Sequence, residues 1–183
     1  MASSDGERIK SIDTHYNGYK FRSRTEARWA VFFNTLSLDW RYEPEGFELP
    51  SGEAYLPDFY LEDISLRSTE RDGLWVEVKA TYDHTEWKKF QEFTKAKSEP
   101  GAYLTGKITN DWGVEANYEA PRWDNHMIFV KCDECGAIKY EFSESNYMTC
   151  ESCGGKCSPD HPHIRRAVVN SRSARFEHDE KPR

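Results

Sequence analysis

Apolar and polar residues alternate most regularly along two runs, Tyr55–Leu61 and Leu74–Ala80. A period of two is what a β-strand imposes, and both runs are short and rich in aromatic and β-branched residues. In the second run the alternation sets Trp75, Glu77 and Lys79 on one face and Leu74, Val76 and Val78 on the other. Upstream the period changes. Ser23-Arg24-Thr25-Glu26 matches a capping box, and the chain then runs apolar through Ala27, Trp29, Ala30, Val31, Phe32, Phe33 and Leu36. This predicts a helix buried on most of its circumference. A second helix is predicted from Asp83 and Glu86, with Trp87, Phe90, Phe93 and Thr94 at helical spacing. Lys88, Lys89, Lys95 and Lys97 fall largely on its other side, as a solvated face or, alternatively, a phosphate track.

The remaining elements follow from turns and breakers. Asn17-Gly18 is a hairpin signal, and Tyr42–Leu49, interrupted by Pro44 and Gly46, reads as an edge or bulged strand. Ser51-Gly52 turns into the first alternating run, and residues 62–73 read as the loop between the two runs. Ala102–Ile108 is a further strand after Pro100-Gly101. Residues 109–125 are irregular, with Trp112, Tyr118 and Trp123 as packing anchors. Ile138–Phe142 alternates like a ribbon strand, and Ile164–Glu177 reads as a last helix carrying Arg165, Arg166, Arg172 and Arg175. Those arginines serve as solubilisers or as backbone contacts. Residues 1–14 are a polar leader, and 178–183 should fray. The fold class is α/β (α+β), divided into a core over 15–110, a cysteine-bearing ribbon over 126–160, and a C-terminal helix over 161–178 that packs on the core.

Composition narrows this picture. With 6 Trp, 10 Tyr and 10 Phe in 183 residues, the chain can build a core. No apolar run is long enough for a membrane span, and the N-terminus lacks a signal peptide's apolar region, so a cytoplasmic location is expected. A net charge of −7 argues against a general nucleic-acid coating protein, though clustered carboxylates contribute to that count.

Chemistry concentrates at the two strands. Asp58 lies between apolar neighbours, an unfavourable place for an unpaired charge. Glu77 and Lys79 share a face with Cα atoms roughly 7 Å apart, so both reach one small site. Pro57-Asp58, a spacer, then Glu77-Val78-Lys79 resembles the PD-(D/E)XK nuclease superfamily, with Glu26 in the place of the helical carboxylate many members carry. The resemblance spans Tyr16 to Lys97. It implies a restriction-endonuclease-like mixed sheet flanked by helices. It also implies catalytic Glu26, Asp58, Glu77 and Lys79, and Mg²⁺ or Mn²⁺ held by Asp58, Glu77 and the Val78 carbonyl, Glu26 assisting directly or through water. Glu26 is also explained as a helix cap, the two roles being compatible, and Glu77 with Lys79 as an exposed ion pair.

The five cysteines lie within 132–157. Cys132-x-x-Cys135-Gly and Cys150-x-x-Cys153-Gly resemble the two knuckles of a zinc ribbon, 14 residues apart at 136–149. Four thiolates close a tetrahedral structural Zn²⁺ site and leave no open position for catalysis. Cys157 is spare, or it, His161 or His163 replaces one ligand. Phosphate attraction here falls to Lys131, Lys139 and Lys156.

By resemblance the expected activity is metal-dependent hydrolysis of DNA phosphodiester bonds in viral or mobile-element DNA processing. RNA or a protein partner is compatible, as is a homodimer. The competing expectation is a non-catalytic nuclease-like scaffold and zinc ribbon that binds nucleic acid or a protein.

Overall fold

The computed structural model describes residues 13–66, 72–106, 108, 116–117, 126–142 and 148–176. Its chain opens with strands β1 (Thr14–Tyr16) and β2 (Tyr19–Phe21), joined at Asn17 and Gly18, whose φ angles of 51° and 82° are the positive pair a tight hairpin requires. Thr14 is fully buried in β1, so the polar leader ends sooner than its composition suggests. Helix α1 (Arg24–Thr35) follows, capped by Ser23, whose side chain accepts the Glu26 N–H.

Several of the next elements are divided or longer than expected. Tyr42–Leu49 divides into β3 (Trp40–Tyr42) and β4 (Phe47–Glu48), which join different sheets. The break falls at Glu43, at φ 44°, whose N–H donates to the Asp58 carbonyl at 2.8 Å. The first alternating run is also cut, into β5 (Ala54–Tyr55) and β6 (Phe59–Leu66). Pro57 has no N–H to give a ladder, and the chain bends there, leaving Asp58 at the mouth of β6. Conversely, the expected loop over 62–73 is largely strand. β6 continues to Leu66, and β7 (Asp72–Lys79) begins opposite it, pairing Ser65 with Asp72 across an irregularity after Leu61. Cross-strand pairing on both sides of β6 outweighs the polar composition that suggested a loop.

Then come α2 (His84–Lys97), β8 (Gly101–Thr105), β9 (Ala116–Asn117), β10 (His126–Cys132), β11 (Ile138–Phe142), β12 (Met148–Thr149), β13 (Lys156–Ser158) and α3 (Pro162–Ser173). β8 stops short of the expected Ile108. α3 starts earlier than expected because Pro162 occupies its first turn and His161 accepts the His163 N–H at 3.1 Å, and it ends at Ser173, short of Glu177. Trp112, Tyr118 and Trp123 lie outside the described residues.

Among the described residues, nine strands form one mixed sheet in which β7 runs parallel to β8 and antiparallel to β6. β11 pairs both with β6 and with β10, so the ladder β6-β7-β8-β9-β10-β11 returns on itself. The strands that carry the first cysteine knuckle are therefore also strands of the main sheet. On one side, α1 and α3 cover Phe59, Leu61, Leu74, Val76, Val78 and Phe129. On the other, α2 and the β4–β5 hairpin cover Trp75 and Tyr103 through Phe90, Phe93, Leu49 and Tyr55. The alternation read from Leu74–Ala80 thus has a core on both faces. No helix among the described residues is long and apolar enough to cross a membrane.

The α2 side is seated on a glycine. A Cβ at Gly101 would lie 2.5 Å from Phe90 Cζ and 2.5 Å from Thr94 Cγ2. Gly101→Ala is expected to destabilise the fold by about 1–3 kcal/mol through overpacking, read as a lowered midpoint in urea.

Candidate functional site

Four sequence-selected side chains lie around the mouth of β6 and the end of β7. Asp58 and Glu77 are each 2 % exposed and Glu26 is 7 % exposed, which for carboxylates demands partners. Asp58 Oδ2 accepts the Val78 N–H at 2.8 Å, and Asp58 Oδ1 lies 3.3 Å from the Arg22 guanidinium. The same guanidinium contacts Glu43. Glu77 accepts the Tyr55 hydroxyl at 2.6 Å and a charge-assisted bond from the Lys79 ammonium, which is also 3.8 Å from Glu86.

Glu26 has an arrangement of its own. Its carboxylate accepts from the Ser23 hydroxyl at 2.6 Å, the Tyr42 hydroxyl at 2.7 Å and the Arg22 N–H at 3.1 Å. It therefore caps α1, and its apolar neighbours along the helix aim it inward as the facing of Trp29, Ala30 and Phe33 requires. The capping role expected of Glu26 is therefore present, on a carboxylate that is buried.

Electrostatics tie these groups together. Burial pushes the Asp58 carboxyl well above the usual carboxylate range, and the charges of Glu77 and Glu26 push it further, against Lys79 and the Val78 N–H. Burial pulls the Lys79 ammonium down, but Glu77 and Asp58 overcome this and hold it above the ordinary lysine value. Burial and the adjacent Glu77 charge also raise the Tyr55 phenol, so it remains a donor. Burial alone would lower Arg22; a side-chain hydrogen bond with Tyr42 and the charges of Asp58 and Glu43 raise it instead. Two acids and a base thus sense one another where β6 and β7 meet.

This coupling has a sign that can be measured. A carboxyl raised in the folded state stabilises the fold below the unfolded pKa of about 3.9 and loses that contribution as pH rises through the folded value. Above it, ionised Asp58 is a cost. Asp58→Asn keeps an acceptor for the Val78 N–H and leaves Arg22, 57 % exposed, in solvent with Glu43. It is expected to raise the melting midpoint at pH 7 by about 2–4 °C and to flatten the fall in stability above pH 4. Thermal melts of the two proteins across that range check it; an unchanged pH slope contradicts it.

Comparison with known proteins is negative. No family model, curated protein or solved structure matches this chain.

Chemistry must therefore be read from the residues themselves. Asp58 and Glu77 fit a hard divalent cation as a pair of buried, mutually repelling oxygen donors, since a cation relieves the repulsion and desolvation that raise Asp58. The fit is weaker for Glu26. Among the described residues only the four cysteines bring three or more such ligand atoms within 4.8 Å of one another. The sequence did not mark Arg22, Tyr42, Tyr55 or Glu86. Each reaches the site from a separate element, and only the Tyr55-x-Pro-Asp spacing lay near a motif.

The second cluster is the four-cysteine group. Cys132 Sγ lies 3.6 Å from Cys153 Sγ, and Cys135 Sγ lies 3.6 Å from Cys150 Sγ. A tetrahedron with metal–sulfur bonds of about 2.3 Å has edges of about 3.8 Å, so the sulfurs already stand near its corners. The set can hold a metal ion such as zinc. Cys157, buried opposite Cys132 in the β10–β13 ladder, is not a member, and neither is His161 or His163. Burial pushes the Cys157 thiol up to about 12, so it stays protonated.

Lys139 departs from the expected phosphate contact. It is 2 % exposed, with Nζ 3.4 Å from Glu151, because β11 lies between β6 and β10. On α2, Lys89 pairs with Glu53 at 3.1 Å and Lys97 lies over the Phe47 ring at 4.0 Å. These two lysines serve local packing.

Proposed function

We propose that this chain is a metal-dependent endonuclease that hydrolyses DNA phosphodiester bonds, of the PD-(D/E)XK type that its motif resembles. One observation carries the reading: burial and the neighbouring Glu77 charge make the buried Asp58 carboxylate costly to ionise, beside a lysine held charged. A purely structural pair in this position would gain stability from losing a charge, whereas a site for a cation keeps both. Asp58 and Glu77, with the Val78 carbonyl, would hold Mg²⁺ or Mn²⁺, and Glu26 would act through solvent. Such an ion supplies charge neutralisation at the scissile phosphate and a more acidic water.

The chain's own residues do the rest. Tyr55 fixes the Glu77 carboxylate through its short hydrogen bond, and the Val78 N–H fixes Asp58. The Lys79 ammonium, kept protonated by its acidic neighbours, donates to phosphate oxygens as negative charge builds on them, so it acts electrostatically rather than as a base. Structural Zn²⁺ on Cys132, Cys135, Cys150 and Cys153 would brace the β10–β11 end. The test is incubation of the zinc-loaded protein with supercoiled, linear, single-stranded and branched DNA, with and without Mn²⁺. Absence of cleavage on every substrate refutes the reading.

A second reading has its own support. Arg22, Lys79, Tyr42 and Tyr55 already satisfy all three carboxylates, which suits a non-catalytic scaffold that binds nucleic acid or a protein partner. Calorimetric titration of the zinc-loaded protein with Mg²⁺ and Mn²⁺ separates the two, since only the enzyme requires a second metal site.

A further inference from the structure

A cleft of about 400 Å³ is lined, among the described residues, by Thr25, Arg28, Ala80, Gly106, Ile108 and Arg172. That volume lies within the range of ligand sites. Its position follows from the chain. Thr25 precedes Glu26, and Ala80 succeeds Lys79 at the end of β7. The Gly106 N–H donates to the Lys79 carbonyl at 3.1 Å, tying the cleft wall to the lysine. Gly106 holds φ at 75°, and a Cβ there would meet nothing within 4 Å, so the wall is backbone facing open space.

The charge of this cleft is opposite to that of the chain. The protein carries −7 overall, yet two guanidiniums and no carboxylate line the cleft among the described residues. Arg28 Nε is buried and has no hydrogen-bond partner there. Thr25 and Arg28 are three residues apart on α1 and so share a face, while Arg172 enters from the last turn of α3. A buried donor without an acceptor is destabilising, and a planar fork of donors matches phosphate oxygens.

The geometry points to a phosphodiester-binding subsite: Arg28 and Arg172 grip the backbone of a DNA strand next to the phosphate presented to Lys79. This rests on the nucleic-acid reading of the neighbouring carboxylates but needs no cleavage. Thr25 supplies a hydroxyl donor, and apolar Ala80 and Ile108 admit the sugar. Arg28 and Arg172 position the strand and do not touch the reacting atoms.

The test is fluorescence anisotropy of a labelled DNA duplex with zinc-loaded protein in buffer without Mg²⁺ or Mn²⁺. Arg172→Gln, a change at an exposed position, and Arg28→Gln are each expected to weaken binding severalfold at low salt. Each should also reduce the slope of log K against log salt by about one. Arg172→Lys should keep the slope. Unchanged affinity and slope in both glutamine variants overturn the subsite, as does a wild-type protein that binds inorganic phosphate but no DNA. Cleavage by the wild type in Mn²⁺ is scored separately. Cleavage with arginine-independent binding removes the subsite and leaves the hydrolase; arginine-dependent binding without cleavage does the reverse.

Discussion

Glu77→Ala is expected to lower Mn²⁺-dependent DNA cleavage at least about a thousandfold, which corresponds to about 4 kcal/mol at the transition state. The side chain is 2 % exposed and is shared by Tyr55, Lys79 and the field at Asp58. Its removal deletes an oxygen donor for the cation and also frees Lys79 from its position. Lys79→Ala should cost about a hundredfold to a thousandfold, because the carboxylates remain while charge on the phosphate loses its nearest cation. Glu77→Gln separates the effects: an amide oxygen still accepts from Tyr55, so the fold is retained while the negative charge is lost. The measurement is the initial rate of supercoil nicking, beside a thermal melt of each variant. Full activity in both alanine variants would remove the catalytic assignment whatever the geometry.

The parts of this site that could be read in the sequence are those fixed by short-range periodicity. Glu77 and Lys79 share a face because a strand repeats every two residues, and the inward aim of Glu26 follows from Trp29, Ala30 and Phe33 one and two helical turns away. The cysteine knuckles are legible because C-x-x-C spacing is itself the geometry of two thiolates on one turn. What escaped is long-range. Tyr55 reaches Glu77 across 22 positions, from a two-residue strand whose packing no local pattern specifies. Arg22 carries no local signal, and its guanidinium reaches Asp58 across 36 positions.

Lys139 failed for a related reason. A lysine in an alternating strand reads as exposed, and only the pairing of β11 with both β6 and β10 buries it. The same closure explains why residues 62–66 are strand although their composition is that of a loop. Identity of the fold is thus strongest where one element determines a side chain's place, and weakest where two distant ones must meet.

Removal of metal from the cysteine cluster is expected to have the largest effect on stability. Structural zinc in small domains binds with about 10–16 kcal/mol of apparent free energy, much of it folding energy. Here the first knuckle grows out of β10, whose Phe129 packs against Phe32, Phe33 and Tyr140 in the main core. The second knuckle is joined to it through β13, where Cys157 faces Cys132. Without a cation, four sulfurs within 4.8 Å of one another must either share protons or repel as thiolates. Strain there passes directly into β10 and β11, and through β11 into β6. Chelation, or Cys150→Ala, is therefore expected to lower the melting midpoint by about 10 °C or more, since about 4 kcal/mol shifts a chain of this size by about 8–16 °C. Cys157→Ala should instead show only the cost of a small buried cavity and leave metal content at one ion per chain. Elemental analysis, the visible spectrum of the Co²⁺-substituted protein and paired thermal melts decide it. A four-thiolate spectrum that persists in Cys150→Ala, or an unaltered melt after chelation, would mean that the cluster does not brace the fold.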